Sequence, residues 1–235
     1  MTKQVLYYTD NRLAEPIFSV CQRFIVESGL PIVSVSLKPL DFGQNIVVKG
    51  RDPSYPTMVL QILTGLQAST ADYVSLAEHD VLYSPSHWDF TPPRDDTYYY
   101  NYNCVRWDYP TDRVVSYQEL TSLSQLCASR TLLLGHYTAR WAWIQERELE
   151  DSVGEPGWAR KLGYEPGLKK TRNGGFKDEP SGRFRSELPN VDIRHPGTYS
   201  PPKVTLDSFK HPPTGWMEST IDEVPGWDLR ELFFL

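Results

Sequence analysis

Apolar positions follow two different periods along the first third of the chain. Val5-Leu6-Tyr7-Tyr8 is a short β-rich run, closed by the loop signal Thr9-Asp10-Asn11. From Glu15 or Pro16 to about Ser28, Ile17, Val20, Cys21, Phe24 and Ile25 recur every three or four residues. That spacing predicts an amphipathic helix, ended by Gly29. Pro31 to Leu37 reads as the next strand, and the β-α-β order predicts a right-handed crossover between neighbouring parallel strands. The turn-rich stretch Pro39-Leu40-Asp41-Phe42-Gly43-Gln44-Asn45 and the apolar run Ile46-Val47-Val48 come next. Thr57 to Ala68 then reads as a second helix, with Met58, Ile62, Leu63 and Leu66 on one face, and leads into a strand over Tyr73–Ala77. Such alternation predicts an α/β protein with a largely parallel sheet.

Beyond Asp80 the pattern loosens. Pro85, Pro92 and Pro93 interrupt a loop, and Thr97 to Val105 reads as one aromatic strand whose tyrosines pack a sheet face or line a cleft rim. Gln118 to Ala128 leads into a helix from Arg130 to about Glu150, with Leu133, Leu134, Tyr137, Trp141 and Ile144 on its core face. From Glu155 onward Gly and Pro are frequent and no long periodic segment remains. The expected organisation is an α/β core over 1–155, with 156–235 a basic loop and an extension completing the same domain. The apolar end of the chain, Leu232-Phe233-Phe234-Leu235, is expected to dock on the body.

Charge and cysteine usage narrow the classes. At a formal net charge of -6 over 235 residues, the chain is no polycation built to coat nucleic acid. Its basic residues are concentrated: Trp158–Arg185 holds eight Lys/Arg, among them Lys169, Lys170 and Arg172, against three acids. Such a segment suits a lid over a diphosphate, a contact for a polyanionic acceptor, or a plain polar loop. Three cysteines without CxxC spacing predict reduced, buried thiols. No charged and apolar leader precedes the first strand, and no apolar run approaches the ~20 residues of a membrane helix. A soluble, cytoplasmic protein is the expectation.

The predicted strand over Tyr73–Ala77 stops on Glu78-His79-Asp80. Strand tips are where parallel α/β sheets present ligand-binding groups. Carboxylates there suit a hard divalent cation that keeps coordination sites for substrate phosphates. An isolated Glu-His-Asp also fits an ordinary charged turn.

Together these residues resemble the GT-A-fold glycosyltransferases of the family-2-like group. Glu78-His79-Asp80 is similar to their Asp-x-Asp-type motif without matching it strictly. Val5–Asn11 looks like their first strand and nucleotide loop, Pro31–Ser36 like their second strand, and Pro189–His195 like a late segment carrying a metal-binding His. The likeness covers the first two-thirds of the chain plus that late segment. It implies a Rossmann-like sheet and transfer of a hexosyl or pentosyl group from a nucleoside diphosphate sugar, UDP first, assisted by Mn²⁺ or Mg²⁺. Asp80 and His195 are then the expected metal ligands. Thr9, Asp10, Asn11, Glu78 and Arg194 are expected to contact the nucleotide sugar, and Asp192 and Glu187 to supply the general base. His79 is expected to face away from Asp80, since adjacent strand residues alternate.

The acceptor is expected to be a saccharide, or alternatively a 5-hydroxymethylpyrimidine in DNA of the kind that phage glycosyltransferases modify. Two other classes compete. A nucleotidyltransferase would carry a Gly-rich phosphate loop after the first strand, whereas Thr9-Asp10-Asn11-Arg12-Leu13 contains no glycine. A non-catalytic sugar- or nucleotide-binding protein would bind UDP-sugars without turnover.

Overall fold

The computed structural model describes residues 1–118, 120–168, 180–198 and 202–234. The middle of the basic segment expected to act as a lid or DNA contact, including Lys169, Lys170 and Arg172, lies outside them, as does Leu235.

The β-α-β reading of the first third holds. Strands β1 (Lys3–Thr9), β2 (Ile32–Ser36), β3 (Gln44–Val47) and β4 (Tyr73–Glu78) are parallel, in the order β3-β2-β1-β4. Helix α1 (Ile17–Val26) links β1 to β2, and α2 (Tyr55–Ala68) precedes β4. Alternation along β1 separates two layers. Leu6 and Tyr8 pack with Val59, Ile62 and Leu66 of α2, while Val5 and Tyr7 pack with Ile25 of α1. Gly65 permits the first contact, because a Cβ there would lie 2.8 Å from Leu6 Cγ. The sheet is extended by β9 (Leu126–Ser129), antiparallel to β4, and then by β6 (Tyr98–Asn101) and β10 (Ser181–Phe184). Helix α3 (Arg130–Gln145) packs beside α2. The molecule is thus α/β, with a mostly parallel central sheet flanked by helices.

Three expectations change. The aromatic run over Thr97–Val105 is two strands, not one. The Asn101 side-chain oxygen accepts the Asn103 N–H at 2.9 Å, and this local turn sends the chain into β7 (Cys104–Asp108) of a second sheet. Helix α3 stops at Gln145 rather than near Glu150. There Glu148 turns left-handed (φ 53°) and Leu149 N–H bonds the Ile144 carbonyl at 3.1 Å.

The Pro/Gly-rich third also contains regular structure: α4 (Gly157–Leu162), β10, β11 (Asn190–Arg194), β12 (Met217–Thr220) and α5 (Leu229–Phe234). The second sheet has the order β12-β8-β7-β11-β5, with β5 (Val81–Leu82) and β8 (Arg113–Ser116). Phe233 of α5 packs with Trp107, Cys21 and Val191, so the end of the chain docks against this sheet and α1. All three cysteines are buried and unpaired. No helix among the described residues is long and apolar enough to cross a membrane.

Candidate active site

The chain passes from the large sheet to the small one within three residues, and the ionisable groups collect there. β4 ends at Glu78, His79 and Asp80 form the turn, and β5 begins at Val81. The Asp80 carbonyl accepts the Ile193 N–H at 2.9 Å, which draws the end of β11, with Arg194 and His195, alongside. At the neighbouring tip, Gln61 of α2 donates to the carbonyls of Thr9 (2.8 Å) and Val35 (3.2 Å), fixing the ends of β1 and β2. Together these tips open on a cavity of about 750 Å³.

His79, Asp80 and His195 each offer one ligand atom, all within 4.8 Å of one another, so the group could hold a metal ion. His79 therefore faces inward, contrary to expectation. Strand alternation does not reach it, because β4 has already ended at Glu78. Its Nδ1 shares a 2.7 Å hydrogen bond with Thr9 Oγ1, which also accepts the Asn11 N–H at 3.0 Å. When Nδ1–H is donated to Thr9, Nε2 keeps its lone pair for an ion. His195 Nε2 is buried 3.5 Å from Asp80 Oδ2, with no hydrogen-bond partner among the described residues. Its Nδ1 accepts the Gly197 N–H at 3.1 Å, which leaves the ring proton on Nε2. The turn after His195 must release Nδ1 before Nε2 can act as a ligand.

Burial alone would raise the Asp80 carboxyl. The imidazoles of His195 and His79 and the Arg194 guanidinium outweigh it and hold Asp80 below the usual carboxylate range. Glu78 is the reverse case. Burial first, then the charge of Asp80, pushes it up to about 8 against the 2.5 Å hydrogen bond from Tyr8, so it is protonated at neutral pH. Glu78 lines the cavity as a neutral acid and is not part of the ion group.

The expected residues separate further. Thr9, Asp10 and Arg194 line the cavity. Asn11 instead braces the loop: it is left-handed (φ 60°), and its side-chain oxygen accepts the N–H groups of Leu37 and Lys38 at 2.8 and 2.9 Å. Neither general-base candidate lines the cavity. Glu187 is exposed away from the cavity. Asp192 is 3% exposed, and its Oδ2 bonds both Arg106 Nε (3.3 Å) and Arg194. Arg106 lines the cavity and was missed. Its one visible signal is a cation between Val105 and Trp107 in a run that otherwise reads as core.

No family model and no curated protein matches the chain. Among solved structures it is similar to a glycosyltransferase involved in the glycosylation of the major capsid of PBCV-1. That likeness has 12% identity and a TM-score of 0.46, over 79% of this chain and 82% of that one. It is also similar to the bifunctional IspDF from Campylobacter jejuni, with 8% identity and a TM-score of 0.44, over 89% of this chain and 54% of that one. The α/β architecture itself, with its mostly parallel sheet and flanking helices, is consistent with a Rossmann-like GT-A fold.

Proposed function

We propose that the chain is a metal-dependent glycosyltransferase that moves a sugar from a nucleoside diphosphate sugar to an acceptor hydroxyl, with 156–235 completing one functional domain. The observation that carries this reading is the group of His79, Asp80 and His195 at the tips of the strands, where His79 and Asp80 line the cavity and His195 stands behind them. Charge supports it. Arg106 and Arg194 are balanced by Asp80 and Asp192, and Glu78 is neutral, so the group is close to uncharged by itself. His79, Asp80 and His195 would hold a divalent cation, which would supply the double positive charge a diphosphate ester needs and Lewis-acid neutralisation of the leaving diphosphate. Two imidazoles favour Mn²⁺ over Mg²⁺, which prefers an all-oxygen shell.

The chain's own residues divide the remaining work. His79 is oriented by Thr9, and Asp192 holds Arg106 and Arg194 in position rather than taking a proton. Glu78 offers a ribose or sugar hydroxyl a neutral hydrogen-bonding partner. UDP-sugars are the donors to test first. The expected result is slow UDP-sugar hydrolysis or transfer that requires Mn²⁺ or Mg²⁺ and stops in excess chelator. Full activity in chelator excludes the metal role, and metal-dependent UDP binding without any turnover favours a binding protein.

A further inference from the structure

The cavity has another wall, which the ion group does not use. It forms where β8 ends and the 202–216 segment crosses it. Tyr117 stacks on Trp216 (centroids 5.8 Å apart, planes at 17°), and Phe209 meets both rings edge-on at 5.3 and 5.7 Å. The Gln118 N–H bonds the Thr214 carbonyl at 2.9 Å and pins the crossing segment to the end of β8. Tyr117 and Phe209 line the cavity together with Gln118, Thr121, Ser122 and Thr214. The Tyr117 hydroxyl accepts from Arg106 at 2.9 Å, so its own proton can be donated to a ligand. Arg106 continues through Asp192 to Arg194, which joins this wall to the ion group by direct contacts.

We infer that this wall is a binding subsite for the ring of a saccharide acceptor, an inference that rests on the glycosyl-transfer reading above. A sugar presents C–H faces and hydroxyl edges. The rings of Tyr117 and Phe209 offer apolar surface to the first, and the Gln118 amide with the hydroxyls of Thr121, Ser122 and Thr214 offers partners to the second. The three rings are only partly buried. A cluster serving solely to anchor the segment would gain more by burying them fully.

Charge separates a saccharide from a nucleic-acid strand. Among the described residues the cations lining this wall are Arg106, shared with Asp192, and Lys203, whose ammonium lies 5.6 Å from the Phe209 ring centre. A phosphate backbone is held by several cations in a row.

Saturation-transfer NMR reads binding without turnover. The probes are the methyl glycosides of glucose, galactose, mannose and N-acetylglucosamine, and separately a single-stranded oligonucleotide containing hydroxymethylcytosine. At least one glycoside is expected to receive saturation. Tyr117→Ala should weaken its binding by about three- to tenfold, the range of an aromatic contact. Gln118→Ala, at an exposed position, should weaken it by about threefold, near the value of one hydrogen bond. Tyr117→Phe, which keeps the ring, should lose less than Tyr117→Ala. Silence from all four glycosides, unchanged binding in both alanine variants, or preference for the oligonucleotide overturns the inference. Nucleotide-sugar hydrolysis on the same samples separates the two readings. Hydrolysis without glycoside binding removes the subsite alone, and glycoside binding without hydrolysis removes the transferase reading alone.

Discussion

Two buried polar clusters sit where the large and small sheets meet, and they are built from different chemistry. The one facing the cavity is ionisable: Asp80, Asp192, Arg106, Arg194 and two imidazoles. The one behind it is mostly amides. Asn101 and Asn190 both direct side-chain N–H groups at His87 Nδ1, at 3.1 and 3.0 Å. Asn190 also donates to Gln125 at 2.7 Å and accepts the Ser84 N–H at 2.9 Å, while Asn103 donates to the Ser186 carbonyl at 2.8 Å. The amide cluster is satisfied largely by its own members, His87 Nε2 alone among its named atoms having no partner among the described residues, and it stays neutral at any ordinary pH. The ionisable cluster balances its charges but leaves His79 and Asp80 facing a cavity. One arrangement holds the sheets together, and the other, on the proposed reading, holds an ion between them.

That contrast breaks if the front cluster carries stability and the rear cluster carries activity. The largest expected effect is Asp80→Asn. It should reduce metal-dependent turnover by about 10²–10³-fold, the cost of losing one main electrostatic contributor at a reacting diphosphate. Thermal melting in chelator should move by only a few degrees. Asn190→Ala should do the opposite. It strands the Gln125 side-chain oxygen and the Ser84 N–H, which costs about 3 kcal/mol in urea unfolding, while kcat/KM per folded molecule stays within about threefold.

The pH dependence of unfolding, measured in chelator, sharpens the comparison because His87 and Glu78 slope in opposite directions. Burial pushes His87 down to about 3 from its ordinary 6.5, so its contribution is complete above pH 6.5 and lost as pH falls toward 3. Glu78, raised to about 8 from 4.5, contributes fully below pH 4.5 and loses that contribution as pH rises through 8. Each group contributes a slope of up to about 1.4 kcal/mol per pH unit. His87→Gln should flatten the acid limb and Glu78→Gln the alkaline limb. If either variant flattens the other's limb, the assignment is wrong.

The smallest effect is expected from Thr9→Val. Losing the hydroxyl that orients His79 should weaken Mn²⁺ binding by about tenfold, as read by calorimetric titration, with little change in fold.

The parallel half of the large sheet was legible because its periods are long and its punctuation strong. Helical spacing between two β-rich runs leaves few alternatives to a crossover. Asp80 and His195 were legible only through resemblance, since nothing local to either residue says that they meet. The small sheet was hidden by length: its strands run from two to five residues and several lie among prolines and glycines. A two-residue strand such as β5 has no period to detect. His79 was misjudged for a related reason, because alternation is informative only while the strand continues. The two clusters themselves come from side chains distant in sequence, a pairing that one sequence does not display.

The position of β11 also sets a timetable for folding. It lies between β7 and β5 and supplies Arg194 and leads into His195, yet its contact with β7, Arg106 to Asp192, spans 86 residues. At ribosomal speed that is roughly 4–17 s of synthesis. Until it emerges, one edge of β7 stays open and β5 has no partner, exposing backbone that can pair with another nascent chain. The ion group and the β7-β11-β5 half of the small sheet therefore arrive together and late. A ribosome stalled before residue 190 would hold a chain with a parallel half-sheet, no ion group, and a strand edge in need of protection.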